Sequence, residues 1–214
     1  MAEYDGSAPG VRELTALTLS KISVGPGDNN CYLLRCRPTG AQLMVDAANE
    51  PDRLLELCGG RLDAVVTTHD HWDHWENGLP DVVSATGART YAGAPDVDGI
   101  TVPTDVPVED GDVIRCGEIS LEVIRLTGHT PGGVALLYDD PAGHPHLFTG
   151  DSIFPGGVGN TFGNADDFDS LFTDVKTKVF DRLPDDTWVY PGHGRDTTLG
   201  AERPSLEEWR TRGW

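Results

Sequence analysis

Hydrophobic positions along this chain fall into short runs bounded by glycine, proline and aspartate, the spacing of strands and turns rather than of long helices. Such runs at residues 14–24, 31–37 and 42–46 predict three strands, and 51–58 predicts a short helix. A fourth apolar run, 64–68, predicts the next strand. Residues 112–116 and 119–126 read as a hairpin around Gly117, and 134–138 with 146–149 as a second pair joined by Asp139-Asp140-Pro141-Ala142-Gly143. Over 165–182 the period changes: Phe168, Leu171, Phe172, Val175, Val179 and Leu183 recur at three- and four-residue steps, so they are the core face of a helix. Residues 188–190 predict a last strand, and Ser205 followed by Glu208 has the form of a capping box for a terminal helix. Each half therefore reads as strands first and helix after.

The 214 residues fit one domain spanning 1–214, with no internal repeat, low-complexity stretch or linker. A hydrophobic share of 38% and no apolar stretch near the roughly 18 residues of a membrane span predict a soluble protein with no membrane partner. The N-terminus lacks the basic-then-apolar pattern of a secretory signal, which predicts a cytoplasmic location. Cys31, Cys36, Cys58 and Cys116 are scattered, as expected of reduced, buried thiols. A formal charge of −19 argues against nucleic acid as partner, because such binding relies on basic side chains displacing counterions. A small molecule is the expected partner; oligomeric state is not legible.

Five of the seven histidines carry the chemistry. His69-Asp70-His71-Trp72-Asp73-His74 places three imidazoles and a metal-competent carboxylate directly after an apolar strand. Three later segments repeat that design, each an apolar run ending in a turn with His or Asp: 124–128 into His129, 147–150 into Asp151 and 188–192 into His193. Strand ends of one sheet system line up along one edge, so these residues are expected to converge. His69, His71, Asp73, His74, His129, Asp151 and His193 make seven candidate ligands. That is too many for one tetrahedral zinc and suits two ions sharing a bridging carboxylate. Imidazole and carboxylate donors favour Zn, with Fe or Mn as alternatives, and a set without cysteine reads as a catalytic, water-bearing site. His144 and His146, in a Gly-His-Pro-His stretch, are expected at the surface. Asp70 is expected to point away from the ligands, Trp72 and Trp75 to line the pocket mouth or pack on the strand, and Asp166, Asp167 and Asp169 to cap the late helix.

At these residues the chain resembles the metallo-β-lactamase superfamily, whose His-x-His-x-Asp-His motif stands here at positions 69–74. The resemblance implies an α/β fold, a four-layer αβ/βα sandwich with the metal site at one edge of the two sheets. Thr127-Gly128-His129-Thr130-Pro131-Gly132, Phe148-Thr149-Gly150-Asp151 and Pro191-Gly192-His193-Gly194 are most similar to the glyoxalase II-like (hydroxyacylglutathione hydrolase-like) thioester hydrolases. With only 21 residues (214 minus 193) after His193, a short form without the glutathione-binding C-terminal helical part is expected. Asn160 stands where many members of that branch carry Arg. The resemblance implies that His69, His71 and His129 hold one metal, that Asp73, His74 and His193 hold the other, and that Asp151 bridges.

The implied enzyme is a binuclear metallohydrolase cleaving a thioester, with an ester or lactone as close variants. The nucleophile would be a hydroxide shared by the ions, oriented by Asp73 as the catalytic residue. On the same fold the alternative is a persulfide dioxygenase with one iron held by His69, His129 and Asp151. A non-catalytic protein keeping its ligands for stability and a β-lactamase are the remaining contrasts.

Overall fold

The computed structural model describes residues 10–214. β1 (Gly10–Glu13), β2 (Leu17–Val24), β3 (Asn29–Cys36), β4 (Gln42–Val45), β5 (Ala64–Thr67), β6 (Arg89–Gly93) and β7 (Val106–Val108) hydrogen-bond in chain order into one sheet. It is antiparallel from β1 to β4 and parallel from β4 to β7. The crossovers after β4 and β5 contain α1 (Pro51–Cys58) and α2 (Leu79–Thr86). Predicted as one strand, 14–24 instead divides into a tight turn after β1, closed by Leu14 N–H donating to the Leu17 carbonyl at 2.8 Å, and β2. Leucines on both sides of that turn carry the apolar run straight across it.

The second half begins with β8 (Val113–Cys116), β9 (Ile119–Arg125), β10 (Val134–Asp139) and β11 (Pro145–Gly150). A small hairpin, β12 (Ile153–Phe154) and β13 (Gly157–Val158), precedes α3 (Ala165–Asp174). After α3 come β14 (Trp188–Pro191), β15 (Thr197–Thr198), α4 (Leu199–Glu202) and α5 (Leu206–Arg212). The second sheet has the order β15-β14-β11-β10-β9-β8, and within it only the β11–β14 pair is parallel. Because β9 and β11 both run antiparallel to β10, the C-terminal ends of β9, β11 and β14 emerge on one edge.

Three separate apolar cores define the layers. Leu19, Leu34, Val45 and Val66 of the first sheet meet Leu121, Val123, Leu136 and Phe148 of the second. On the opposite face of the first sheet, Leu33, Met44 and Val65 pack with Leu54, Leu79 and Val82 of α1 and α2. Ile124, Ala135, Leu147 and Val189 of the second sheet pack with Leu171, Val175 and Trp209 on its outer side. Neighbouring residues of a strand face opposite ways, so Leu33 and Leu34 serve different cores. Helices outside, two sheets inside: this is the expected four-layer αβ/βα sandwich. All four cysteines are free and buried.

Three further expectations are corrected. The helix predicted over 165–182 is α-helical only to Asp174 and then widens into a π-helical turn, Val175–Phe180, which buries Phe180 together with Val175 and Val179. Ser205 makes no side-chain capping bond, since a one-turn 3₁₀ helix, Arg203–Ser205, leads into α5 and leaves Ser205 in a near-helical conformation rather than the extended one a cap requires. His146 is only 1% exposed, inside β11 and hydrogen-bonded through Nδ1 to the Tyr190 hydroxyl at 2.9 Å. The Gly-His-Pro-His stretch is thus the entry into a core strand, not a surface loop. At α3 the cap comes from Asn164, whose side chain accepts from the Asp166 and Asp167 N–H groups; those aspartates sit in the first turn, where the helix dipole favours negative charge.

Candidate metal centre

All seven predicted ligands gather where strands of the two sheets end side by side. His69, His71, Asp73 and His74 follow β5; His129 follows β9, Asp151 follows β11 and His193 follows β14. Three donor groups, each spanning at most 4.8 Å, can hold an ion: His69, His71 and His129; His69, His74 and Asp151; Asp73, His74 and His193. Asp151 lies among them, with Oδ1 3.4 Å from His74 Nε2 and Oδ2 3.8 Å from His129 Nε2 and 3.5 Å from His193 Nε2. A Cβ at Gly192 would collide with Asp151 Oδ1, so the glycine before His193 is what allows β14 this close.

The hydrogen-bond network fixes which ring nitrogen faces the centre. His129 Nδ1 donates to the Asn160 carbonyl at 2.7 Å, and His193 Nδ1 donates to the Gly27 carbonyl at 2.8 Å. His74 Nδ1 donates to Asp46 Oδ2 at 2.9 Å. The same Oδ2 accepts the Thr68 hydroxyl at 2.8 Å, so that hydroxyl has spent its hydrogen and must accept from His69 Nδ1, 3.0 Å away. With Nδ1 protonated on four rings, Nε2 is the nitrogen each can offer a cation, on His74 once it has lost its second proton.

Two residues in this network carry no motif in the sequence. Asp46 is buried in the left-handed region, at a φ of 56°, and also accepts the Thr68 N–H at 2.7 Å. It directly follows β4, so the rule of polar residues at strand ends would have found it. Asn29, buried at the start of β3, donates from Nδ2 to Asp73 Oδ2 at 2.9 Å; its signal is only a polar residue beside an apolar strand.

The electrostatics are those of a centre made for positive charge. Burial, followed by the neighbouring His74, pushes His69 well below the ordinary histidine range, and burial likewise lowers His129. Burial opposes charge on His74 too, but Asp46 and Asp151 outweigh it and push its pKa up to about 10. Asp151 is held far below the usual carboxylate range by His74 despite burial. His69 Nε2, His129 Nε2 and Asp151 Oδ1 are buried without a hydrogen-bond partner. Orphaned acceptors converging from two sheets fit divalent ions and little else.

At the mouth, Phe162 is 71% exposed and holds a φ of 54°, unusual for a bulky residue. Its ring stacks 6.1 Å from His129 and meets His71 edge-on at 5.7 Å. Asn160 positions it, Oδ1 accepting the Phe162 N–H at 2.8 Å. Trp72 is 60% exposed, whereas Trp75 is buried and donates from Nε1 to the Asp70 carbonyl at 2.9 Å. Of the two expectations for these tryptophans, packing holds for Trp75, while the exposed Trp72 is not packed in the core. Asp70 belongs to none of the donor groups, as expected.

Comparison with known proteins covers the stretch that holds these residues. The profile described as "Metallo-beta-lactamase superfamily" matches residues 24–193. A hydroxyacylglutathione hydrolase of Polaromonas sp. is 36% identical over 165 residues, covering 76% of this chain but only 60% of its own length. Hydroxyacylglutathione hydrolase GloC of Haemophilus influenzae is 27% identical over 210 residues, covering 88% of this chain and 96% of its own. Among solved structures, a protein in a di-iron-bound form aligns at a TM-score of 0.71 and 31% identity, over 86% of this chain and 96% of its own. ETHE1 from Myxococcus xanthus aligns at 0.76 and 26%, over 90% and 84%.

Proposed function

The chain belongs to the metallo-β-lactamase superfamily, and from that premise we propose that it is a binuclear metallohydrolase cleaving a thioester of a small-molecule thiol. The observation that carries this reading is the place of Asp151, within 3.4–3.8 Å of His74, His193 and His129 and therefore able to bridge the set His69/His71/His129 and the set Asp73/His74/His193. Relatives named hydroxyacylglutathione hydrolase support the thioester class, and one of them, GloC, has nearly this chain's length.

Zinc is the first choice for both ions, with iron or manganese compatible with the same nitrogen and oxygen donors. Two such ions would supply an acidified water and a Lewis acid for the substrate carbonyl. The residues do the rest. Asp73, held by Asn29, stands at the open side of the second set, where it orients the attacking water and takes its proton. Asp46, Thr68, Asn160 and Gly27 keep four imidazoles in one tautomer, so no reorganisation is needed during the reaction. Phe162, against His71 and His129, gives the acyl group or its carrier an apolar surface beside the site. No cysteine belongs to any donor group among the described residues, and the reading needs no covalent acyl-enzyme.

The test is metal analysis of the purified protein followed by a panel of thioesters built on different low-molecular-weight thiols. Two equivalents of metal per chain are expected, with hydrolysis that chelation abolishes and reloading restores. A single iron together with oxygen consumption on a persulfide would replace this reading by the dioxygenase held by His69, His129 and Asp151, which the likeness to ETHE1 keeps in view.

A further inference from the structure

Asp96 belongs to none of the donor groups, yet it is fully buried at the same edge of the sandwich, in the 3₁₀ turn Ala94–Gly99 that follows β6. A carboxylate so placed is tolerated only when its oxygens are satisfied. Three donors satisfy it. Thr130 Oγ1 donates to Oδ2 at 2.6 Å and Asp70 N–H donates to the same oxygen at 3.2 Å, while Gly132 N–H donates to Oδ1 at 2.6 Å. Asp70 stands between His69 and His71, and Thr130 directly follows His129. One side chain thus ties the segment carrying two histidines of the first set to the loop carrying the third.

The packing around it is equally specific. A Cβ at Gly132 would lie 2.6 Å from the Asp96 nitrogen, and one at Gly93 would collide with the Gly132 carbonyl. The backbones of the Asp96 turn and the His129 loop therefore approach as closely as two chains can. A carboxylate accepts on both oxygens, which the site demands; an amide would aim its NH₂ either at Gly132 N–H or at the Thr130 and Asp70 donors.

We infer that Asp96 is a positioning residue that sets the spacing of His69 and His71 from His129 and thereby the metal affinity of that set. The inference rests on the proposed metal centre only in requiring that His69, His71 and His129 take an ion. By the same geometry Asp96 leaves the Asp73/His74/His193 set alone, since its bonds reach none of those residues.

The experiment measures zinc affinity by competition with a chromophoric chelator in two backgrounds of the full chain. His193→Ala leaves the first set whole, and His71→Ala leaves the second. Asp96→Asn and Thr130→Val are introduced into each, Thr130→Val removing one hydroxyl with little change of volume in case Asp96→Asn does not fold. In the His193→Ala background both variants are expected to weaken zinc binding about 10- to 100-fold, the range for loss of a group that orients a ligand. In the His71→Ala background the change is expected to stay below about threefold. Equal loss in the two backgrounds, or none in the first, overturns the inference. A wild type that holds one ion and cleaves no thioester would instead end the binuclear hydrolase reading and leave this comparison standing.

Discussion

Asp46 and His74 meet as a buried carboxylate–imidazole pair, Oδ2 and Nδ1 2.9 Å apart, although 28 residues separate them in sequence. Asp46 thereby raises the basicity of a ring that faces the metal centre. Asp46→Ala removes that support and strands His74 in the core. Metal affinity is expected to fall about 10- to 100-fold, read by chelator competition, with a loss of thermal stability. The pair also sets a pH dependence. Ion-free His74, with a pKa of about 10, is protonated at pH 8, so zinc uptake there must expel a proton and affinity should climb between pH 7 and 9. In Asp46→Ala that climb should flatten.

Asp73 separates catalysis from mere stabilisation. Asp73→Ala is expected to lower thioesterase kcat at least about 100-fold, as loss of a base in hydrogen-bond reach does. Asn29→Ala, which frees Asp73 Oδ2 from its amide partner, should lower kcat less than Asp73→Ala does. A melting temperature that falls while every hydrolytic rate is untouched would fit a scaffold that keeps metals for stability alone.

Phe162 couples strain to substrate contact. Its φ of 54° is one that glycine adopts freely, so Phe162→Gly should leave the unfolding free energy from urea denaturation unchanged or raise it, by on the order of 1 kcal/mol. The same change removes the exposed ring beside His71 and His129, and KM should rise several-fold while kcat moves less. A variant less stable than wild type with an unaltered KM would remove Phe162 from the substrate site.

His146 should govern part of the acid sensitivity. Burial, with His144 and Arg12 nearby, lowers its pKa to about 4, while Asp140 acts in the opposite direction. The folded ring stays neutral where the unfolded chain, titrating near 6.5, takes up a proton. Stability is therefore fully present above pH 6.5 and is lost as pH falls toward 4, by on the order of 2–3 kcal/mol. Urea denaturation of metal-free protein at pH 7 and pH 4.5 should show this loss in wild type and a smaller one in His146→Gln.

Much of this architecture is written in local pattern. β3 to β5, α1 and the strands from β8 to β11 are bounded by turn residues and stand within a few positions of where the pattern puts them. The candidate ligands are legible because a strand-end His or Asp is a local signal repeated four times. Residues 75–111 are not, although they hold α2, β6, β7 and Asp96. α2 has only a short apolar face, and Arg89–Gly93 is strand by virtue of pairing with β5 rather than by any alternation of its own. Asn29 and Asp96 each matter through a partner far away in sequence, and no spacing rule sees such a partner; Asp46 has a distant partner too, but its place at the end of β4 marks it. His146 failed for the converse reason: glycine and proline beside it imitate a loop, while its burial is decided by Tyr190 on the neighbouring strand.

The distribution of donors along the chain also bears on synthesis. His69, His71 and His129 have all been made 64 residues (193 minus 129) before His193, and Asp151 follows 42 residues (193 minus 151) before it. A ribosome-bound chain can hence assemble the three-histidine set first, and the second set only after β14 has been added to its sheet. On the proposed two-ion reading, capture of the second ion would mark the moment at which β14 is in place.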